Sequence, residues 1–401
     1  MYTGYITVNN QTSAKVYYTL YSYNGVNDPT STVNTTAPLF VWLQGGPGCS
    51  SQQGDHTQIG PFEISWNGNQ TVVAVKNSTW NTRAHLLFPE DILGVGFSVG
   101  VDTVNSSLQV ADYLQVFLAR FFQIYTSLAE QDMYLIGESY GGHFSTALGA
   151  KILANNTANQ FKFKGLVITD GLVDTYHQLR WWAQYAYAAG LVDSITSSWY
   201  KNLQIQMSQA ILDGNPYLMR EINLKIINGL SAAGGGFQTI NHRLYAGDSS
   251  PAALDSWLLN ETVKELLHVD PTSSYNGCVD SVQQNLIPDR MVSFADNLTY
   301  ILNHNDIKVL IWHGQDDFLI NTPGVMSYIK NLVEWKGLQD HYRAKKVKWT
   351  SRANEDIVWG TFKHSRNFTF ANVNKAGHLV PGSQPESAFD LISRFLDDSW
   401  S

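Results

Sequence analysis

A serine between two glycines is the first feature of the sequence that could carry out covalent chemistry. Gly137-Glu138-Ser139-Tyr140-Gly141 matches the pattern G-x-S-x-G, in which the glycines allow a sharp turn that exposes the serine hydroxyl. An ordinary glycine-rich turn would give the same pattern. However, the apolar run Met133 to Ile136 predicts a strand before the turn, and the residues from His143 onward predict a helix after it. This context favours Ser139 as a nucleophile.

A nucleophilic serine needs a histidine as its base and an acid that orients the histidine. The apolar run Val309 to Trp312 predicts a strand, and two acids, Asp316 and Asp317, follow its carboxyl end. In a strand-turn-helix site of this kind the chain order is serine, acid, histidine. His378 and His364 both follow the acids at a plausible distance. His364 lies in a polar run typical of a solvated face, so we predict His378 as the base.

Acyl transfer also needs N–H donors for the oxyanion that forms on the attacked carbonyl. One donor is expected from the amide of Tyr140, directly after the nucleophile, and the other from a glycine-rich loop after an earlier strand. The run Leu39 to Leu43 predicts that strand, and Gly45-Gly46-Pro47-Gly48 follows it. A phosphate-binding loop is the alternative, but no G-K-[ST] follows these glycines. We therefore predict Gly46 as the second donor.

Short apolar runs that alternate with helical patterns must position these residues. Five runs predict the strands of a buried sheet: 39–43, 85–88, 133–136, 166–168 and 309–312. Apolar residues recur at three- and four-residue intervals from Ser106 onward, and helices are also predicted at 143–154 and 386–396. Strands alternating with helices predict an α/β fold with a mostly parallel sheet.

The middle of the chain has a different pattern. Between residues 178 and 297 the strand signals disappear, and stretches such as Trp181 to Tyr187 predict helices. We expect a helical insertion at 178–297 that covers the site and interrupts a core formed by 1–177 and 298–401. Its aromatic residues could equally form a small core of the insertion itself.

Composition excludes several classes of protein. The 401 residues include 34 acidic and 26 basic side chains, and this acidic balance argues against a nucleic-acid partner. With 44% hydrophobic and 15% charged residues, the chain is globular rather than disordered. No apolar run approaches the length of a membrane span. H-E-x-x-H, C-x-x-C and EF-hand spacings are missing from the sequence, so we predict no metal and no cofactor.

Asparagine and cysteine indicate the compartment. Nine N-x-[ST] sequons, against about four or five expected by chance, indicate passage through the secretory pathway. They are at Asn10, Asn34, Asn69, Asn77, Asn105, Asn155, Asn260, Asn297 and Asn367. The sequence starts without a basic and apolar leader, so we expect any signal peptide to be absent from it. Its two cysteines, Cys49 and Cys278, are either separate buried thiols or one long-range disulfide.

Together these segments resemble the serine carboxypeptidases, a family with the α/β-hydrolase fold. The resemblance extends over nearly the whole chain and is weakest in the helical insertion. The segments that carry it are Trp42 to Ser51, Gly60 to Phe62, Trp80 to Ala84, Gly94 to Ser98, Gly137 to His143, Asp317 to Asn321, Ala376 to Pro381 and Gln384 to Glu386.

The resemblance implies a serine exopeptidase that removes the last residue of peptides with a free C-terminus through an acyl-enzyme. Such enzymes work in lysosomal or vacuolar lumens or outside the cell. The family acid directly precedes a Phe-x-x-Asn segment, which implies that Asp317 is catalytic and Asp316 is its neighbour. The resemblance also implies a disulfide between Cys49 and Cys278. It leaves open whether the protein is a monomer or a homodimer.

The resemblance further implies a pocket for the substrate's free carboxylate, formed by Gln44, Gly45, Gln58 and Glu138 and backed by Trp42. Gln44 stands where the family commonly has Asn, and Gln58 where it often has a second Glu. The pocket then has one ionisable carboxyl, and we expect burial to raise the pKa of Glu138 and to favour activity in acid. Pockets for substrate side chains are implied at Leu172, Leu319, Ile320 and Leu379.

Two other functions remain open at this point. An acyltransferase with the same triad passes the acyl group to an alcohol instead of water, and the sequence separates the two reactions poorly. A non-catalytic binding protein or transport chaperone on the same fold is disfavoured by the complete set of Ser139, Asp317 and His378.

Overall fold

The computed structural model of the chain describes residues 1–25, 36–67, 71–100, 102–155, 160–245 and 252–400. The predicted sequons at Asn34 and Asn69 lie outside these residues. The strands are β1 Tyr2–Asn9, β2 Ala14–Tyr21, β3 Leu39–Leu43, β4 Phe62–Trp66, β5 Thr71–Val75, β6 His85–Pro89, β7 Met133–Glu138, β8 Phe163–Thr169, β9 Phe237–Gln238, β10 Asn241–Tyr245, β11 Lys308–Gly314, β12 Val347–Thr350, β13 Val358–Ser365 and β14 Phe368–Val373.

A ten-stranded sheet crosses the molecule in the order β1-β2-β6-β3-β7-β8-β11-β14-β13-β12. The five predicted strands, β3, β6, β7, β8 and β11, are neighbours in it and pair in parallel. They are covered on both faces, which explains why their residues are apolar without alternation. The predicted α/β-hydrolase fold with a mostly parallel sheet is confirmed. The outer antiparallel strands were not predicted, because their apolar residues are interrupted by polar ones.

Helices cover the sheet and form the insertion. They are α1 Gln52–Gly54, α2 Ser107–Ile124, α3 Thr126–Ala129, α4 Gly141–Ala154, α5 Thr175–Gln178, α6 Trp182–Ala188, α7 Ser194–Leu212, α8 Pro216–Ala233, α9 Ala252–Leu258, α10 Glu261–Leu266, α11 Asp280–Asn285, α12 Ala295–Leu302, α13 Thr322–Lys330, α14 Leu338–Arg343, α15 Val380–Ser383 and α16 Pro385–Asp397. The predicted helices correspond to α2, α4 and α16. Helix α2 begins where expected, since the Ser106 hydroxyl accepts a hydrogen bond from the Gln109 amide. Within the described ranges, none of the helices is long and apolar enough to cross a membrane.

The segment between β8 and β11 contains helices α5 to α12, as expected for an insertion, and also a hairpin of β9 and β10. Sequence periodicity could not indicate this hairpin, because β9 has only two residues. The insertion enters and leaves the core at one place, which we call the neck: Val173 to Thr175 beside Arg290 to Phe294. There the Phe294 amide donates to the Val173 carbonyl at 2.8 Å, and the Thr175 hydroxyl donates to the Arg290 carbonyl at 2.5 Å.

A disulfide joins the beginning of the chain to the end of the insertion. Cys49 follows the glycine-rich loop after β3, and its sulfur is bonded to that of Cys278, 229 residues later. The Ser50 amide also donates to the Gly277 carbonyl at 2.7 Å, and the Val279 amide to the Gly48 carbonyl at 2.9 Å. The predicted pairing of the two cysteines is therefore present, and it fixes the glycine-rich loop against the insertion.

Candidate active site

Ser139 lies in the turn from β7 to α4, with a half-exposed side chain. Its φ angle of +57° falls in the left-handed region, which a serine rarely adopts. The flanking glycines allow this turn: a Cβ at Gly137 would lie 2.2 Å from the Gly141 carbonyl oxygen. The Ser139 amide donates to the Thr169 carbonyl at 3.1 Å, and the Ser139 carbonyl accepts from the Leu172 amide at 2.8 Å. The hydroxyl is thus presented at the carboxyl edge of the sheet by a turn that is held on both sides.

His378 and Asp317 form a buried pair at the same edge. Nδ1 of His378 lies 2.7 Å from Oδ2 of Asp317, and Oδ1 of Asp317 accepts from the Ile320 amide at 3.0 Å. Burial alone would lower the pKa of His378, but the charge of Asp317 and its hydrogen bond raise that pKa above the ordinary value. The neighbouring Asp316 instead forms an ion pair with Arg243 at 2.5 Å. Of the two adjacent acids, Asp317 is the one in contact with the histidine.

The glycine-rich loop lies directly against the nucleophile turn. A Cβ at Gly45 would lie 2.5 Å from the Ser139 Cβ and 2.7 Å from the Tyr140 amide nitrogen, so only a glycine permits this approach. Gly46 has a φ angle of +114°, which again requires glycine. The loop therefore brings the two predicted oxyanion donors, the amides of Gly46 and Tyr140, beside Ser139.

A chain of buried polar side chains leads away from Ser139. Nε1 of Trp42 donates to Oε1 of Gln44 at 2.9 Å, and Nε2 of Gln44 donates to Oε1 of Glu138 at 2.7 Å. Gln58, in a π-helical turn at Asp55–Ile59, donates from Nε2 to the same Glu138 oxygen at 2.9 Å. The other oxygen of Glu138, Oε2, is buried and has no hydrogen-bond partner in the described part of the chain. All four side chains of the predicted carboxylate pocket are therefore in one hydrogen-bonded cluster.

The pKa of Glu138 is raised to about 7. Burial is the largest cause, because it disfavours the charged form. The hydrogen bond from Gln58 and the charge of His378 act in the opposite direction and keep the pKa from rising further. Glu138 is thus protonated in acid, where its unpartnered Oε2 can serve as a donor.

Each of the four predicted side-chain pocket residues is close to Ser139, Asp317 or His378, either along the chain or through a backbone hydrogen bond. Leu172 is buried and its amide holds the Ser139 carbonyl, and Ile320 is buried beside Asp317. Leu319 and Leu379 are half-buried, and Leu379 directly follows His378. The insertion reaches Leu319: its carbonyl accepts from Nε1 of Trp182 at 2.9 Å, and its amide donates to the Thr239 carbonyl at 3.0 Å.

This arrangement agrees with comparisons to known proteins. The family model for serine carboxypeptidases, peptidase S10, matches residues 1–398. The chain belongs to the serine carboxypeptidase family. Among its relatives are a probable serine carboxypeptidase CPVL of Dictyostelium discoideum, 28% identical over 99% of this chain and 78% of the relative, and the venom serine carboxypeptidase of Apis mellifera, 28% identical over 98% of this chain and 84% of the relative.

A solved structure shares the fold. It is that of Kex1(delta)p, a prohormone-processing carboxypeptidase from Saccharomyces cerevisiae, with a TM-score of 0.84 and 23% sequence identity. The match covers 99% of this serine carboxypeptidase and 91% of the yeast chain. The two proteins therefore share the α/β-hydrolase architecture.

Sequence reasoning about this serine carboxypeptidase missed Asp170. It directly follows β8, is fully buried, and accepts a hydrogen bond from the Gly314 amide at 2.8 Å. One oxygen of Asp170, one of Asp317 and one ring nitrogen of His378 lie within 4.8 Å of one another. Burial, and then the charge of Asp317, raise the pKa of Asp170 well above its ordinary value, so its carboxyl keeps a proton beside the Asp317 carboxylate.

The same three side chains are of types that could bind a divalent cation. In this carboxypeptidase the Nδ1 of His378 is already engaged at 2.7 Å by Asp317, and Oδ1 of Asp170 is engaged by the Gly314 amide. Two of the atoms that a cation could use, Nδ1 of His378 and Oδ1 of Asp170, therefore already take part in hydrogen bonds.

A second set of residues was also missed, on the other side of Tyr140. The Tyr140 hydroxyl donates to Oδ2 of Asp289 at 2.8 Å, and the Ser107 amide donates to Oδ1 of Asp289 at 2.9 Å. Nη2 of Arg290 donates to the Gly46 carbonyl at 3.4 Å, and the guanidinium lies 5.6 Å from the centre of the Tyr140 ring. Asp289 and Arg290, at the start of the second part of the neck, come some 150 positions after the nucleophile, and no local pattern marks them.

Proposed function

We propose that this carboxypeptidase hydrolyses the last peptide bond of peptides with a free C-terminus, through an acyl-enzyme on Ser139. The observation that carries the proposal is the unpartnered Oε2 of Glu138, one residue before the nucleophile, in a buried pocket lined by the amides of Gln44 and Gln58. A group with a free proton at this place suits a carboxylate on the substrate. An internal peptide bond has no such group to offer.

The proposed chemistry is acyl transfer in two steps. The Ser139 oxygen bonds to the scissile carbonyl carbon while His378 accepts the hydroxyl proton and Asp317 stabilises the resulting imidazolium. The amides of Gly46 and Tyr140 bind the oxyanion. The C–N bond then breaks, and His378 returns its proton to the leaving amine. Water, deprotonated by the same histidine, attacks the acyl-enzyme and releases the shortened peptide.

The carboxylate pocket gives the proposed direction and pH range. The protonated Oε2 of Glu138, the amide hydrogens of Gln44 and Gln58, and the Gly45 backbone would surround the substrate's terminal carboxylate, with Trp42 holding Gln44 in place. When Glu138 ionises, a donor becomes a negative charge that repels the substrate carboxylate. We therefore expect tight substrate binding in acid and its loss as the pH rises through about 7, the pKa of Glu138.

The surroundings of the site support the remaining assignments. Leu172, Leu319, Ile320 and Leu379 would contact substrate side chains, and the insertion at 178–297 would cover the cleft between core segments 1–177 and 298–401. Secretion or delivery to a lysosomal or vacuolar lumen is supported by the disulfide and by exposed sequons at Asn10, Asn77, Asn105, Asn155 and Asn260. The half-buried Asn297 remains a candidate. At Asn367 a glycan would compete with three hydrogen bonds that the side-chain amide donates to backbone carbonyls.

Matched peptides that differ only at the C-terminus test the proposal. Free-acid peptides should lose residues one at a time from that end, followed by mass spectrometry, while the amidated forms should react at least tenfold more slowly. The Ser139→Ala protein is the control for contaminating peptidases. Equal hydrolysis of free and amidated peptides would instead indicate a general esterase or amidase. Transfer of the acyl group to an added alcohol in preference to water would indicate the acyltransferase.

A further inference from the structure

Arg290 carries a positive charge next to the active site without a carboxylate partner. It lies in the neck and is half-buried, and its Nη2 contacts the Gly46 carbonyl beside the Tyr140 ring. Its Nε is buried and forms no hydrogen bond within the described part of the chain. None of the ion pairs found among these residues includes Arg290. The Nε–H group of Arg290 is therefore an unsatisfied donor within the described part of the chain.

The neighbouring acid, Asp289, forms no ion pair with Arg290 within the described ranges. Asp289 is bound by the Tyr140 hydroxyl and by the amide and hydroxyl of Ser107, so its carboxylate is already occupied. A second guanidinium, that of Arg220 on α8 of the insertion, adds to the positive field. Burial, together with repulsion from Arg220, lowers the pKa of Arg290. An anion bound between the insertion and the oxyanion loop would offset both effects.

The position of Arg290 identifies the part of a substrate that it would meet. Glu138 precedes Ser139 and Tyr140 follows it, and their side chains have separate partners: Glu138 is bound by the carboxylate pocket, whereas Tyr140 contacts Asp289 and Arg290. The glycine-rich loop contacts both sets of residues at different positions: the Gln44 side chain donates to Glu138, whereas the Gly46 carbonyl accepts from Arg290. A substrate whose last residue occupies the Glu138 pocket must place its acyl part over Tyr140. The side chain of the penultimate residue then lies beside the guanidinium.

We infer that Arg290, assisted by Arg220, selects peptides with glutamate or aspartate at the penultimate position. The inference rests on the proposed function, since it assigns the acyl side of the cleft. A carboxylate would accept charge-assisted hydrogen bonds from the terminal nitrogens of Arg290, a fork geometry that lysine cannot reproduce. Because Arg290 is half-buried and forms no ion pair within the described chain, the acidic side chain would be favoured over its neutral isostere.

N-blocked dipeptides with the same C-terminal leucine and a penultimate Glu, Gln or Lys test this inference. At about pH 6 the glutamate side chain is ionised and Glu138 is still largely protonated. Wild-type protein should hydrolyse the Glu peptide with a kcat/KM about 10- to 100-fold above that of the Gln peptide, the range for one charge-assisted hydrogen bond. The Lys peptide should be the poorest of the three.

Arg290→Gln should reduce the Glu/Gln ratio to about one, and Arg220→Gln should reduce it partly. The ratio of kcat/KM for the Glu peptide to that for the Gln peptide is measured within each variant. A general loss of activity caused by disturbing Gly46 lowers both values equally and therefore does not change the ratio. Arg83→Gln is the matched control: it also removes one positive charge, but Arg83 precedes β6 and lies at the opposite edge of the sheet, so the ratio should be unchanged. If Arg290→Gln does not fold, Arg290→Lys keeps the charge and should lower the ratio at least threefold.

The outcomes separate this inference from the proposed function. Hydrolysis of the Gln peptide at the same rate as the Glu peptide by wild-type protein would overturn the inference and leave the carboxypeptidase intact. A Glu/Gln ratio that stays at the wild-type value in Arg290→Gln or in Arg290→Lys would also overturn it. If none of the three free-acid dipeptides is hydrolysed, the proposed function itself fails.

Discussion

Replacing Gln58 by glutamate should move the pH at which substrate binding is lost. In the wild-type protein Glu138 accepts two amide hydrogen bonds on Oε1, from Gln44 at 2.7 Å and from Gln58 at 2.9 Å, and its pKa is about 7. A hydrogen bond to a charged group is worth about 1.5–3 kcal/mol, and one pKa unit corresponds to about 1.4 kcal/mol. Loss of the Gln58 bond alone should therefore raise the Glu138 pKa by about one unit or more.

The new carboxyl acts in the same direction. Two buried carboxyls at hydrogen-bond distance share a proton, which holds the pair in its singly ionised form over a wider range of pH. With both effects present in Gln58→Glu, we expect the rise of KM with pH to begin more than one unit higher than in the wild type, at about pH 8 or above. The alkaline limb of kcat should move less, because His378 acts at the other end of the scissile bond.

The assay is KM for an N-blocked dipeptide between about pH 4.5 and 8.5. Gln58→Met is the matched control, since it removes the amide donor without adding a carboxyl and should shift the limb by less than Gln58→Glu. Glu138→Gln removes the titrating group and should leave KM nearly flat with pH. Overlapping KM curves for the wild type and Gln58→Glu would show that Gln58 does not control the protonation of Glu138. The amide would then act only as a direct donor to the substrate.

Three further predictions follow from the groups around the triad and from the buried acids. Ser139→Ala and Asp317→Asn should each lower kcat by about 10⁴-fold, whereas Asp316→Asn should cost less than about tenfold; an inactive Asp316 variant would show that the acid is misassigned. Asp170→Asn keeps a donor beside Asp317 and should stay within about tenfold of wild-type kcat, while Asp170→Ala should lose more; equal kcat values for the two variants would contradict a hydrogen-bonding role. Burial raises the pKa of Asp91 and Asp170 well above the ordinary value. The contribution of these two acids to the free energy of unfolding is therefore complete below about pH 4 and is lost as the pH rises through their raised pKa values. Buried histidines with lowered pKa values oppose this trend only below about pH 6.5, so the melting temperature should fall between pH 6.5 and 8.5. Asp91→Asn should make this fall of melting temperature with pH less steep. A melting temperature of the wild type that does not change with pH over this range would refute this account.

The parts of the fold that the sequence predicted are those with a strong local signal. Strands such as β3 and β7 are runs of buried apolar residues, and the glycines around Ser139 are required by a turn that only they permit. Asp170 had no such signal. It meets Asp317 because β8 and β11 are neighbours in the sheet, although Phe163 at the start of β8 and Lys308 at the start of β11 are 145 positions apart along the chain. A pairing between distant strands cannot be read from the periodicity of either one.

The choice between Asp316 and Asp317 shows a similar limit. Both follow β11, and local pattern does not distinguish them; the resemblance to a family favoured Asp317 before any contact was known. In the structure the difference arises from direction, since one side chain turns toward His378 and the other toward Arg243 on the insertion. The hairpin of β9 and β10, which carries Arg243, was likewise too short to leave a pattern.

The neck gives the insertion a degree of independence from the rest of the molecule. Because the chain leaves and re-enters the core at adjoining positions, the insertion can change in length or sequence without altering the pairing of any strand in the ten-stranded sheet. Arg290 lies at this junction, whereas Ser139, Asp317 and His378 all belong to the core. Exchange of the inserted segment between related enzymes would therefore transfer a preference for the penultimate residue as a unit and leave the bond-breaking machinery in place. Selectivity and catalysis can then evolve on separate stretches of one chain.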